Sequence, residues 1–526
     1  MTHHAPVILT DPRILAAYAE GAGIYRIIPN AVAIPCDLDA LRRVLLWARE
    51  TGTPLVSRGA GSGMGGGSVG RGVVVDLTSF REQAPSWDAR LLRVGAGVTC
   101  AEVNAAARRF GLRLAPDPSS CAFATSGGMA ATNAAGPRSV RCGSVRQWIR
   151  ALEVMEADGT VRTVERGDGS RRWRLSSAAR DLVRHSFPRT RKSSSGYALD
   201  RYVETGDELD LLIGSEGTLA VITAVEWVLE AIPPDVGGVL LGFASLEALT
   251  EAVSYLVALN PSAVELLDAT FLDLIRGAGA DLPANLAGLL LVEFERETAS
   301  AARGVVGDAV RGLKALTAHV ETAIDRAGLA RLWEVRRMAS PALARLPERQ
   351  RSLQVVEDGC VPLERLGAYV AGIRAAAGRR GVPVAIFGHA GDGHVHVNAL
   401  PDITRPGWRD SLAGLFGDAV DLLIELGGVP SGEHGVGRLR AGVLERFYGP
   451  DVMALFRDLK RAYDPLGLLN PGVILPANDW APLADLKVGA DAAAIPADVA
   501  DRLRAIERNA SWAVPKVDLA ALTPDT

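Results

Sequence analysis

Residues 58–68 read RGAGSGMGGGS and stand between two short apolar runs, PLVS at 54–57 and VVVDL at 73–77. The spacing GxGxxG is met at Gly61, Gly63 and Gly66. In a dinucleotide-binding turn of the doubly wound kind a strand precedes the glycines and a helix follows, so that the helix N-terminus faces the pyrophosphate. Here a strand follows. The loop also lacks the Gly-Lys-Ser/Thr of a P-loop. Both common nucleotide folds fail on context. What remains is a strand–loop–strand unit whose backbone N–H groups can form an anion-binding concavity, because glycine takes positive φ and lets a phosphate come close. Arg58 can add charge there.

Two more segments share this character. PDPSSCAFATSGGMAATNAAG (116–136) carries two glycines ahead of an Ala/Thr/Asn run, and IGSEGTLAVIT (213–223) runs straight into a strand. Neither has side-chain bulk, so a flat ligand can lie along the backbone. Around them the pattern predicts an amphipathic helix over 37–51 with Leu41, Val44, Leu45 and Ala48 on one face. It predicts a strand at 91–98, a helix capped by Thr99 and ended by Gly111, a hairpin over 151–164 with an Asp-Gly turn, and a long strand over 219–232. After Pro233-Pro234 strands alternate with helices at short spacing: strands at 238–245, 263–268, 287–295, 382–388 and 394–400, helices at 246–259, 299–317 and 361–381. That rhythm indicates an α+β fold with an antiparallel sheet backed by helices. A helix over 451–464 precedes NPGVIL, and one helical patch lies in the alanine- and proline-rich tail. The expected units are 25–232, 233–440, a segment 441–476 packing back on the first, and a tail 477–526.

A chain of 526 residues needs two or three such units. A net charge of −4 gives no electrostatic case for nucleic acid. No apolar run approaches the roughly 20 residues of a membrane span. The N-terminus lacks a signal-peptide pattern, so a cytoplasmic protein is expected, with peripheral contact to the inner membrane left open. The five cysteines at 36, 100, 121, 142 and 360 show no CxxC pairing. Reduced thiols are expected, without an iron–sulfur or zinc–thiolate site in this chain.

Histidine is scarce, eight in all, yet IFGHAGDGHVHVN (386–398) holds three and SGEHGVG (431–437) a fourth. In a strand alternate residues share a face, so His394, His396 and Asn398 point one way and Val395 and Val397 the other. His389 precedes the glycine bend and can fold back to the same side. Two imidazoles and a carboxylate suit a divalent metal such as zinc or manganese, and Glu433 is the candidate third ligand.

With these motifs in register the chain resembles the flavin-binding family of vanillyl-alcohol oxidase. Within it, GHAGDGHVHVN and SGEHGVG are similar to the two signatures of the branch that holds glycolate oxidase, D-lactate dehydrogenase and D-2-hydroxyglutarate dehydrogenase. The resemblance spans about residues 25 to 476 and implies an FAD-binding domain of the vanillyl-alcohol oxidase type plus a substrate domain. It implies that Ser57, Arg58, Gly59, Ala60, Gly61, Ser62 and Gly63 cradle the FAD pyrophosphate. Pro116, Asp117, Gly127, Gly128, Thr132, Asn133, Gly136, Glu216, Gly217 and Val221 would line the flavin and the rest of the dinucleotide, and Asp76 and Asn470 complete the cofactor set. Some relatives tether FAD through a histidine in the first loop. None stands there, so noncovalent binding is expected. By matching position His389, His396 and Glu433 are metal ligands, His434 is the base, and Asn398 contacts substrate. The branch usually has Asn where His394 stands, which leaves His394 either a fourth ligand or a residue outside the ligand set.

Arg336, in RLWEVRRMASPALARL (331–346), matches the arginine that pairs the substrate carboxylate, for which a planar guanidinium fork is suited. Ser340 shares its face, and Arg337 is read as solvated. In the branch a lysine meets the far end of the substrate just before the segment matching EDGCVP (357–362). Val356 or a neighbour stands there, which leaves recognition of a second carboxylate open. Lys192, in FPRTRKSSSGYALDRY (187–202), could meet a phosphate or an electron-accepting partner, and is read first as a solvated loop lysine. The expected activity is oxidation of a D-2-hydroxy acid (D-lactate, glycolate or D-2-hydroxyglutarate-like) by hydride transfer to flavin N5. The electrons would pass to a cytochrome, a quinone, an electron-transfer flavoprotein or an iron–sulfur partner subunit. The competing readings are a non-catalytic FAD-binding subunit of a redox complex, and an oxidase or transferase of the same fold.

Overall fold

The computed structural model describes residues 6–169 and 171–509; the side chains of Ala339 and Ser340 also lie outside the described residues. The glycine loop leaves a three-stranded parallel sheet in the order Ala31–Ala33, Val73–Asp76, Leu55–Arg58. The helix Leu38–Thr51 forms as its periodicity dictates. Asp37 caps its N-terminus through Ala40 N, left-handed Gly52 ends it, and Leu41, Val44, Leu45 and Ala48 are the buried positions. Each buried Leu or Val in such a face contributes roughly 1.5–3 kcal/mol. Thr99 and Glu102 make a reciprocal capping box at the start of Cys100–Arg108.

Beside this sheet lies a five-stranded antiparallel one, ordered Gln83–Ser86, Leu91–Gly95, Val221–Val228, Ile149–Met155, Val161–Glu165. The strand predicted over 219–232 ends at Val228, and Glu230–Ala231 pairs separately with Leu112–Arg113. The chain leaves one ladder to close another, which an unbroken apolar run does not reveal.

The second half forms a six-stranded antiparallel sheet. Its order is His319–Ala323, Asp235–Phe243, Gly288–Arg296, Ala263–Asp268, Val384–His389, His396–Ala399. Helices Leu246–Ala258, Ala299–Leu313 and Leu366–Arg380 bury apolar faces in its largest core cluster. So does Trp408–Glu425, a helix not predicted from the sequence, through Leu412, Leu415, Phe416, Ala419, Val420 and Leu423. The helix expected from 451 begins after a break at Gly449-Pro450, where Gly449 has φ 76°. Leu469 then pairs with Leu55, and Asn470 Nδ2 donates to Gly67 O and Glu216 O, both at 2.8 Å.

Two part-buried ion pairs tie the first half of the chain to the strand Gly288–Arg296. Arg138 Nε lies 2.7 Å from Glu293 Oε1, and Arg113 Nη1 lies 2.6 Å from Glu295 Oε1. Among the described residues no helix is long and apolar enough to cross a membrane.

Candidate active site

A cavity of about 450 Å³ lies between the sheets. Its walls include Ser57, Arg58, Gly59, Ala60, Gly61, Ser62, Gly63, Gly127, Gly128, Thr132, Glu216 and Gly217 at one end, and Arg336, His396, Asn398, Glu433 and His434 at the other. The structure thus brings most of the sequence-selected residues onto one space. The others sit behind the lining. Asp76 accepts the Tyr18 hydroxyl at 2.6 Å. Asp117 pairs with Arg138, and burial pushes its carboxyl up to about 6 against that pull. Asn133, left-handed at φ 51°, faces a second cavity of about 340 Å³. Gly136 lets the Asp117 carbonyl approach, since a Cβ there would lie 2.7 Å from it. Pro116 faces Cys100, Val221 is in the core, and Asn470 ties loops together. Ser340 lies on the helix Ala339–Ala344, its side chain outside the described residues.

The glycine loop fits an anionic ligand. The backbone N–H groups of Ala60, Gly61, Ser62 and Gly63 donate to no group among the described residues. Gly61 has φ +76°, and a Cβ on Gly59 would lie 2.1 Å from Thr125 Oγ1. At Gly63 a Cβ meets nothing within 4 Å, so the residue opens on the cavity. The Arg58 guanidinium packs against the loop, where a Cβ on Gly61 would lie 2.4 Å from its Nη2. It is held there by donating to Tyr18 O, Ser68 O and Glu20 O, at 3.1, 3.2 and 2.7 Å. A leucine at Gly63 would project into this space. Gly63→Leu is expected to weaken FAD uptake roughly ten- to hundredfold while the fold melts as wild type, measured by flavin titration and calorimetry.

At the far end Glu265, on the strand Ala263–Asp268, is the register partner of His389 on its neighbour. His389 Nδ1 lies 2.5 Å from Glu265 Oε1, which leaves Nε2 to face Glu433 Oε1 at 3.0 Å. His396 Nε2 is 3.4 Å from His389 Nε2 and 3.3 Å from Glu433 Oε1. Ligand atoms on a tetrahedral zinc, about 2.0–2.1 Å from the ion, stand about 3.3 Å apart. The three atoms are spaced so that they could hold such an ion on one face, and Glu265 stands where a metal-binding histidine usually has an outer carboxylate. Burial opposes charge on Glu265, but His389 and then Arg336 hold its carboxyl down at about 2.

One ring nitrogen of His394 is occupied by a carboxylate. Its Nε2 is 2.8 Å from Asp358 Oδ1, and its Nδ1 has no partner among the described residues. Asp358 also accepts Ser431 Oγ at 2.5 Å and His434 N at 2.9 Å, so it shapes the SGEHG turn. A ring nitrogen of His394 still lies within 4.8 Å of the other donor atoms. His434 stacks on His396, ring centroids 4.9 Å apart, with Nδ1 against Glu357. Burial would lower the His434 pKa; Glu357 and Asp358 outweigh it and bring it to about 9. Glu216 accepts Val436 N and Gly437 N at 2.7 and 2.9 Å, welding the small-residue loop to this turn.

Arg336 is buried, with Nε 2.9 Å from Glu265 Oε2 and its guanidinium carbon 4.7 Å from the Phe387 ring centroid. Its two Nη groups bond nothing among the described residues and open on the cavity. Arg337 is exposed, as read from the sequence. Val356 lies in the apolar core and offers nothing to a ligand. Lys192 corrects the sequence reading. It is not solvated but 6% exposed, with Nζ 2.6 Å from Glu433 Oε2. Glu265, Asp358 and the base-side carboxylate Glu357 were also missed. Glu265 left a signal, an acid inside the apolar run AVELLD.

Residues 29–165 match the family model described as an FAD binding domain, and residues 232–474 the model described as FAD linked oxidases, C-terminal domain. The chain is 30% identical over 456 residues to D-lactate dehydrogenase of Archaeoglobus fulgidus, covering 86% of this chain and 92% of that one. It is 30% identical to glycolate oxidase subunit GlcD of Bacillus subtilis, covering 85% and 89%. It is 28% identical to D-2-hydroxyglutarate dehydrogenase of Escherichia coli, covering 86% of this chain and 49% of that one. Among solved structures, 4-ethylphenol oxidase from Gulosibacter chungangensis superposes with a TM-score of 0.68 at 15% identity, covering 89% of this chain and 94% of that chain. That likeness concerns the fold.

Proposed function

We propose, for a chain that belongs to the family of FAD-linked oxidases, oxidation of a D-2-hydroxy acid to the 2-oxo acid, with a divalent ion, zinc or manganese, at His389, His396 and Glu433. The observation that carries this reading is continuity: one cavity joins the free N–H groups of the glycine loop to His396, Glu433, His434 and Arg336. D-lactate, glycolate or a D-2-hydroxyglutarate-like acid fits the relatives' names.

FAD, when bound, supplies the acceptor for the hydride that leaves the α-carbon. A divalent ion at the triangle would lower the pKa of the substrate hydroxyl. The remaining work belongs to this chain. Arg336 presents both Nη groups to the substrate carboxylate while Glu265 holds its Nε, so the fork is aimed before substrate arrives. Asn398 accepts from Ser352 Oγ at 3.0 Å through Oδ1, which leaves its Nδ2 as a donor to substrate. His434 takes the hydroxyl proton. The electron acceptor is proposed to be a separate cytochrome, quinone, electron-transfer flavoprotein or iron–sulfur protein.

The test is an anaerobic visible spectrum of the FAD-loaded protein during addition of D- and L-2-hydroxy acids in turn. Bleaching by the D series alone supports the reading; a flavin that no hydroxy acid bleaches overturns it. Chelation tests the ion. Removing divalent metal is expected to lower the bleaching rate at least tenfold with FAD retained, and zinc or manganese to restore it. Full activity in metal-free protein would sink the metal.

A further inference from the structure

We propose that Lys192 is a positioning residue of the metal site, holding Glu433 so that it offers one oxygen only and keeping the bound ion electron-poor. The proposal rests on the reading that His389, His396 and Glu433 bind a divalent ion. Glu433 faces two ways. Oε1 points at the two imidazole Nε2 atoms, and Oε2 lies 2.6 Å from Lys192 Nζ. A carboxylate can bind a metal through one oxygen or both. An ammonium on Oε2 leaves only Oε1 available.

The lysine is built into place. Its Nζ also donates to Ser139 Oγ at 3.0 Å, and Ser139 Oγ lies 2.5 Å from Asp392 Oδ2 in the GHAGDG bend. The loop that carries it is stitched to the Glu433 turn on both sides of Ser431. Ser194 N donates to Ser431 O at 2.9 Å, and Ser431 N donates to Ser195 Oγ at 3.0 Å. Lys192 and Glu433 thus move together. A chain that needed only a tightly held structural ion gains nothing from a buried ammonium against a ligand, since the ammonium repels the cation. It does gain if the ion must stay Lewis-acidic toward a substrate oxygen. Two neutral imidazoles and a carboxylate carry one negative charge, which Lys192 offsets.

Zinc alone is titrated calorimetrically into chelator-stripped, FAD-loaded wild type, Lys192→Met and Lys192→Gln. Both variants are expected to bind zinc at least tenfold tighter than wild type, while hydroxy-acid-driven flavin bleaching slows. Lys192→Arg, which keeps the charge, is expected to bind as wild type. Equal or weaker zinc affinity in the uncharged variants overturns the proposal, because a merely structural lysine would loosen the site when lost. If Lys192→Met does not fold, Lys192→Gln decides by itself. A wild type that takes up no zinc, and no manganese titrated in the same way, removes the metal reading and this proposal together, an outcome separate from equal binding by all proteins.

Discussion

His434→Ala is expected to slow substrate-driven bleaching of the flavin by about 10²–10⁴-fold, with FAD and metal still bound. A positioned general base contributes about that much. The separation of roles follows from the geometry. His434 lines the cavity and stacks on His396, but it is not one of His389, His394, His396 and Glu433, whose donor atoms all lie within 4.8 Å of one another. Removing it leaves His389, His396, Glu433 and the glycine loop intact. Its Nδ1 contacts Glu357, whose other oxygen is 2.9 Å from Arg440 Nη2, so the ring is oriented from behind and presents Nε2 forward. The same carboxylates favour the protonated ring. A base must be free of its proton, and positive charge at the neighbouring triangle works in that direction. The measurement is stopped-flow bleaching beside metal content and flavin content. A rate within threefold of wild type, with both contents unchanged, would remove His434 from proton transfer.

What the sequence revealed and concealed follows from the range of each interaction. Local signals read well. Asp37, Thr99 and the Leu41–Ala48 face act within a turn or two of helix, and the structure keeps them. GHAGDGHVHVN could be read because its bend and strand are contiguous, so the shared face of His396 and Asn398 is a property of the strand itself. Lys192 could not be read that way. Nothing within ten residues of it says that residue 433 will lie 2.6 Å from its ammonium; that depends on the 190–197 loop docking on the 431–434 turn. The partners of Arg58 were hidden for the same reason, since Tyr18 and Glu20 come from an N-terminal segment that local pattern does not bring near. Glu265 lies between these cases. An acid inside a fully buried strand must find a partner, so its burial was legible while the identity of His389 and Arg336 was not. The helix Trp408–Glu425 was missed although its apolar spacing is local, and its periodicity was there to be read.

Arg336→Lys is expected to lower kcat/KM for the hydroxy acid by roughly thirty- to several-thousandfold, chiefly through KM, with FAD and metal content unchanged. Losing one partner of a buried, hydrogen-bonded charge pair costs about 2–5 kcal/mol, and each 1.4 kcal/mol is about tenfold. Lysine keeps a positive charge near Glu265, so the Glu265–His389 contact that orients the metal side survives. It cannot hold Glu265 and also offer two parallel N–H groups to a carboxylate. The effect should therefore follow the substrate's carboxylate and not the ion. The corresponding 2-hydroxy amide, which lacks the anionic fork partner, makes the comparison. Wild type should prefer the acid strongly, and Arg336→Lys should lose most of that preference because the acid alone has fallen. Arg336→Ala should fall further and also lose metal affinity, because it leaves Glu265 buried with His389 as its one remaining side-chain partner among the described residues. An unchanged acid-to-amide preference in Arg336→Lys would show that the carboxylate is bound by another group, and Arg351, which lines the same cavity, would be the next residue to test.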